Sequence, residues 1–211
     1  MKAVLESITN QSVQIVNTKG YDWIPIVSMQ GWIHLLRKLD QSILQAHESS
    51  PDGKINIFAH SIGGILARIY LLEEPFPGEY FQGRELVTQL VTLGSPHSNK
   101  GGVTRGGLIN RWINEQYPGG TNQSGVKYTS VAGKSIYGDN FGSTKQHWVY
   151  HNYQSICGRG NVWGDGLIPV ECALLEGSDK VVLDGVSHAK VFGNPWYGEK
   201  ETVERVIRII E

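Results

Sequence analysis

The sequence predicts an α/β fold built on a parallel sheet, and three observations carry that expectation. Apolar periodicity alternates between strand-like and helix-like runs along the chain, the pattern of strands connected by helices. The 26 glycines are spread without a fixed period, as in a chain with many sharp turns. The 211 residues, 40% hydrophobic and 18% charged, are enough for one sizeable core, so a single domain over residues 1–211 is expected.

In chain order, residues 13–16 (Val-Gln-Ile-Val) read as a short strand, followed by the turn Asn17-Thr18-Lys19-Gly20 and an irregular stretch over 21–28. From 30 to 47, Ile33, Leu35, Leu36, Leu39, Ile43, Leu44 and Ala46 recur near helical spacing until Ser49-Ser50-Pro51-Asp52-Gly53 stops them. Residues 54–58 (Lys-Ile-Asn-Ile-Phe) read as a buried strand, and 63–72 as a helix closed by Pro75 and Pro77. Further strands are expected at 86–93, 127–132 and 181–183, and a terminal helix at 201–210. Residues 98–125 carry glycines on both sides of a short helix at 108–116, a lid-like excursion of the kind that sits over a site.

Composition excludes several function classes. A formal charge of -1, from 19 basic and 20 acidic residues, gives no overall field to draw nucleic acid or anionic lipid. The two cysteines, Cys157 and Cys172, lack the spacing of a disulfide scaffold or a zinc site and read as free thiols. No stretch approaches the ~18 apolar residues of a membrane span, and Met1 to Glu6 breaks off too soon for a signal peptide.

The most informative string is Ala59-His60-Ser61-Ile62-Gly63-Gly64, placed where a buried strand ends and a helix begins. A serine on such a strained turn needs small residues two places before and after it, and Ala59 and Gly63 meet that need. The following helix points its positive end at the serine oxygen, with the Ile62 N–H as an oxyanion donor. A serine hydroxyl also needs an imidazole to take its proton and a carboxylate to orient that imidazole. Among the seven histidines, His188 follows the strand at 181–183 by a short turn, where open α/β sheets build their sites, and His97 after Ser95-Pro96 is its rival. His34 and His47 fall on a helix, and the His60 side chain is expected to point away from the serine, into the structure. For the acid, Asp165 between Gly164 and Gly166 stands out, with Asp184 as competitor four residues before His188 and Asp139 further away.

These residues resemble the α/β-hydrolase superfamily of serine esterases and lipases, in which the serine, the acid and the histidine follow in that order. A closer likeness is to lipase-like proteins related to GPI inositol deacylases of plants and cyanobacteria. It rests on the serine string together with Leu93-Gly94-Ser95-Pro96-His97, Cys157-Gly158-Arg159, Val162-Trp163-Gly164-Asp165-Gly166, Leu183-Asp184-Gly185-Val186-Ser187-His188 and Pro195-Trp196-Tyr197-Gly198. The resemblance runs from near Leu5 to the end of the sequence. It implies an α/β-hydrolase fold with helices on both faces of the sheet, and a cytoplasmic or plastid location.

The sequence departs from the family at its beginning. Family members open with a strand and a small-residue loop that supplies a second oxyanion N–H, whereas residues 1–11 here read as the helix that follows that loop. The usual amino-terminal strands are therefore expected to be lacking, leaving the strands at 13–16 and 54–58 either joined or separated by a gap.

The resulting expectation is a hydrolase of carboxylic esters, lipid acyl esters included, working through an acyl-serine intermediate with Ser61, Asp165, His188 and the Ile62 N–H. Its substrate is a small-molecule ester or lipid, no cofactor or metal is required, and the sequence sets no oligomeric state. Two alternatives stand beside it. One is a shortened relic with impaired catalysis; the other is a binding module that uses Trp112, Tyr117, Trp148, Tyr150, Tyr153 and Trp163 to hold a lipid or partner.

Overall fold

The structure, a computed structural model, describes residues 1–98, 107–120 and 125–210. Its centre is a four-stranded sheet of β1 (Ile55–His60), β2 (Val87–Leu93), β3 (Lys127–Lys134) and β6 (Asp179–Asp184), in that spatial order and parallel throughout. A small antiparallel pair, β4 (Ile136–Tyr137) with β5 (Trp163–Gly164), stands beside it. The helices are α1 (Lys2–Thr9), α2 (Met29–Glu48), α3 (Ile62–Tyr70), α4 (Gly107–Gln116), α5 (Thr144–Cys157), α6 (Val170–Ala173) and α7 (Lys200–Ile210).

The sheet is covered on both faces, which is why the adjacent Leu90 and Val91 of β2 are both fully buried. Successive side chains of a strand point to opposite faces. Leu90 accordingly joins a core with Leu35, Leu36 and Leu39 of α2, Ile65 and Ile69 of α3, and Ile113 of α4. Its neighbour Val91 faces the other way, with Leu93, Val131, Leu183 and Val206 of α7. On that second side Leu5 of α1 packs with Val203 and Ile207, and Phe58 of β1 lies against them.

Local chemistry sets the helix ends. The Ser28 hydroxyl accepts from the Gly31 N–H at 3.3 Å to start α2. Ser143 and Gln146 form a reciprocal capping box at the start of α5, and Gly158 in the left-handed region ends it.

Several expectations need correction. Residues 13–16 form no strand among the described residues. They run along α2, held by Gln14 to Gln45 at 3.3 Å and by the Lys38 ammonium donating to the Asn17 carbonyl at 3.2 Å, with Ile15 more than half exposed. Val-Gln-Ile-Val has strand composition, but a strand forms only where a neighbour takes its N–H and C=O groups. Consequently β1 is neither joined to a preceding strand nor separated from one by a gap: it is the edge of the described sheet. The stretch expected to be irregular contains a 3-10 helix, Gly20–Val27, whose first turn Asp22 caps through the Lys19 N–H at 2.7 Å. Helix α5, the pair β4–β5 and the short α6 were not anticipated. Of the excursion at 98–125, α4 is described, while residues 99–106 and 121–124 lie outside the described residues.

The core arrangement sets an expected outcome. Leu90→Ala, at a fully buried position of β2, is expected to cost about 2 to 5 kcal/mol. Phe141→Ser, at a side chain 95% exposed, should stay within about 0.5 kcal/mol of the parent. Urea unfolding of both variants checks the contrast.

Candidate active site

Ser61 stands between the end of β1 and the start of α3 with φ 55° and ψ −131°. A non-glycine residue is held in that sparsely populated region only when its surroundings fix it. Here the Ser61 N–H donates to the Leu93 carbonyl at 2.9 Å, continuing the β1–β2 ladder, while its own carbonyl accepts from the Gly64 N–H at 3.0 Å. The small residue that this turn demands is Gly64. A Cβ there would come within 2.1 Å of Ser95 Oγ, whereas one at Gly63 would meet nothing, so the expected constraint lies one residue further along. The first amides of α3, that of Ile62 among them, have no acceptor within the helix and carry its positive end to the serine.

His188 follows β6 and is 4% exposed. Its Nε2 lies 3.0 Å from Ser61 Oγ and its Nδ1 lies 2.8 Å from Asp165 Oδ2. With a carboxylate at Nδ1, the neutral ring keeps its proton there and turns Nε2 to the serine hydroxyl as an acceptor. Asp165 is fully buried. Its Oδ1 accepts from the Leu167 and Ile168 N–H groups at 2.9 and 2.7 Å, and Oδ2 also accepts from the Tyr197 hydroxyl at 3.1 Å. The Asp165 carbonyl takes the His188 N–H at 2.8 Å, fastening the two loops together.

The rivals lie elsewhere. His97 is buried, meets Thr92 Oγ1 at 2.8 Å, and is held well below its ordinary value by burial and by nearby Arg68. Asp184, the competitor for the acid, is exposed and pairs with Lys134 at 3.6 Å. Asp139 caps the Phe141 N–H at 2.9 Å. His34 contacts Asp22 at 3.1 Å and His47 contacts the Gly53 carbonyl at 2.9 Å. Both cysteines are free and buried. Among the described residues no cluster of three His, Cys, Asp or Glu could hold a metal, and no helix is long and apolar enough to cross a membrane.

Sequence reasoning missed three supports of this site. His60, expected to point away, packs its ring 4.6 Å from that of His188 and meets the His188 carbonyl through Nε2 at 3.0 Å. Tyr153 of α5 accepts the Gly166 N–H at 2.8 Å and steadies the Asp165 turn. Tyr197 meets the carboxylate itself. The Pro-Trp-Tyr-Gly string was visible, but nothing local in it marks its hydroxyl as a partner of Asp165.

The structure resembles that of the Bacillus licheniformis lipase BlEst2 in its mature form, with a TM-score of 0.57 and 17% identity, over 87% of this chain and 74% of that one. At this identity the likeness is one of fold, and the mostly parallel sheet with flanking helices matches an α/β-hydrolase arrangement. No protein-family model matches the chain, and no curated protein does. The narrower likeness to the inositol deacylase branch finds no support there.

Burial, with the ring of His188 beside it, lowers His60 from 6.5 to about 4. Between those pH values the unfolded chain takes up a proton that the folded chain refuses, so stability is intact above pH 6.5 and falls as pH drops toward 4. The loss from this group is about 3 kcal/mol. Urea midpoints measured from pH 7 to pH 4 should therefore fall less steeply in His60→Gln than in the parent, and equal slopes would count against this assignment.

Proposed function

We propose that the chain is a serine hydrolase of carboxylic esters, lipid acyl esters among them. The observation that carries this reading is the continuous hydrogen-bonded line from Ser61 Oγ through His188 to Asp165, with contacts of 3.0 and 2.8 Å at the carboxyl ends of parallel strands. In the proposed reaction the Ser61 oxygen attacks the ester carbonyl while His188 Nε2 takes its proton. Asp165 stabilises the resulting imidazolium, and the Ile62 N–H holds the oxyanion. His188 then returns the proton to the departing alcohol, and water releases the acid from the acyl-serine by the same steps in reverse order.

An apolar acyl group is favoured by the side chains next to the imidazole. The Phe192 ring lies 6.2 Å from that of His188 and stacks at 5.8 Å on Trp148, which is half exposed. The excursion that carries α4 is proposed to shape access, and α4 itself is tied to α3 and to the loop after β2. Arg68 of α3 donates to Asn114 Oδ1 at 2.9 Å and to the Tyr117 carbonyl at 3.0 Å, and Asn114 in turn donates to the His97 carbonyl.

A fluorophosphonate probe should label the folded chain, and both Ser61→Ala and His188→Ala should abolish the labelling. Hydrolysis of p-nitrophenyl esters should fall on the order of 10^4-fold or more in either variant. Activity unchanged in Ser61→Ala would overturn the reading, and a folded chain that takes no probe would favour the impaired-relic alternative.

A further inference from the structure

Tyr197 has no part in the reaction as written, yet its hydroxyl is seated among the reacting groups. The side chain is 1% exposed. Its oxygen accepts the Gly133 N–H at 2.6 Å and donates to Asp165 Oδ2 at 3.1 Å, the same oxygen that holds His188 Nδ1 at 2.8 Å. Space for this arrangement is made by missing side chains. A Cβ at Gly94 would lie 2.6 Å from both Asp165 Oδ2 and Tyr197 Cε2, and one at Gly133 would lie 3.0 Å from the Tyr197 hydroxyl. Glycine thus stands just past β2 and within β3 where the phenol and the carboxylate meet.

We propose that Tyr197 is a positioning residue for the hydrolysis inferred above, and the proposal rests on that reading. By sharing Oδ2 with His188, the hydroxyl fixes the plane of the carboxylate and draws off part of its charge. Deleting the hydroxyl would return that charge to Oδ2, where it favours the protonated imidazole. A hydrogen bond to a charged acceptor is stronger than a neutral one, so the sharing has real weight at a buried carboxylate. The phenol cannot abandon this role by ionising, since burial and the neighbouring carboxylate push it well above its ordinary value.

Other groups facing His188 do not compete for Oδ2. On the β1 side are Ser61 and His60, the latter bound to the His188 carbonyl. Lys190 and Glu199 pair with each other at 3.8 Å. Phe192 presents only its ring.

The test is Tyr197→Phe, which keeps the ring and deletes the hydroxyl. Two readouts are taken: the acid limb of the kcat/KM profile for a p-nitrophenyl ester, and the pH titration of the His188 ring signals by NMR, identified by their loss in His188→Ala. Both midpoints are expected to rise by about half a pH unit, which lowers kcat/KM on that limb about threefold. A role confined to packing would lower thermal stability and leave the midpoints in place, so a folded variant with unmoved or lowered midpoints overturns the proposal.

Should Tyr197→Phe fail to fold, the parent chain grown with 3-fluorotyrosine gives the opposite change. Its more acidic hydroxyl is a stronger donor, so the NMR midpoint should fall, and an unmoved or raised midpoint overturns the proposal. The NMR readout needs no turnover. A parent chain that takes no fluorophosphonate but shows the expected shifts would overturn the hydrolase reading alone.

Discussion

A carboxylate with no exposed surface is the constraint around which this molecule is arranged. Removing such a charge from water costs several kcal/mol unless its lone pairs are all met. Asp165 meets that demand with donors from two segments of the chain: its own turn at Leu167 and Ile168, and the connection from β6 to α7, which supplies both His188 and Tyr197. The turn and the two ends of that connection are thereby tied to one point, so satisfying the charge and assembling the site are the same act. The Tyr153 hydroxyl then extends the arrangement into α5 by taking the Gly166 N–H.

Around this carboxylate, burial keeps the other titratable side chains from adding charge of their own. His60 and His97 are both held low by desolvation and so are neutral at pH 7. Arg68 of α3 is lowered by burial to about 10 and remains charged at neutral pH. It donates to the Asn114 side chain and to the Tyr117 and Gly119 carbonyls, which fastens α3 to α4 and the turn beyond it.

The sequence made Ser61, Asp165 and His188 legible because each sits in a local setting with its own signal: a strand-to-helix turn, a glycine-flanked acid, and a loop after a strand. The parallel sheet was legible for a similar reason, in the apolar runs of β1, β2 and β3. What escaped was whatever depended on partners distant in the chain. Residues 13–16 have strand composition and no ladder to join. Helix α5 was missed although Val149, Tyr153, Ile156 and Cys157 follow helical spacing and Gly158 ends it, because polar and aromatic residues between them break the simple pattern. The contacts of His60 and Tyr197 with the site could not be read, since they come from β1 and the loop before α7 meeting at His188.

The sheet order explains why glycines gather at the strand ends. Ser61 leaves β1 at one edge of the four strands and His188 leaves β6 at the other. Adjacent strands are about 4.8 Å apart, so three spacings, roughly 14 Å, separate the two exits, and an imidazole side chain cannot span that alone. The loop itself must cross the ends of the strands between them. At β3 it passes so low that a Cβ on Gly133 would lie 2.3 Å from the Val186 carbonyl, and at the end of β2 Gly94 leaves its room to Asp165 and Tyr197. Any side chain at either place would lift the loop or displace the carboxylate, and in both cases His188 would lose its reach to Ser61. The missing side chains at these two positions are therefore as much a part of the candidate site as the three groups that form its hydrogen-bonded line.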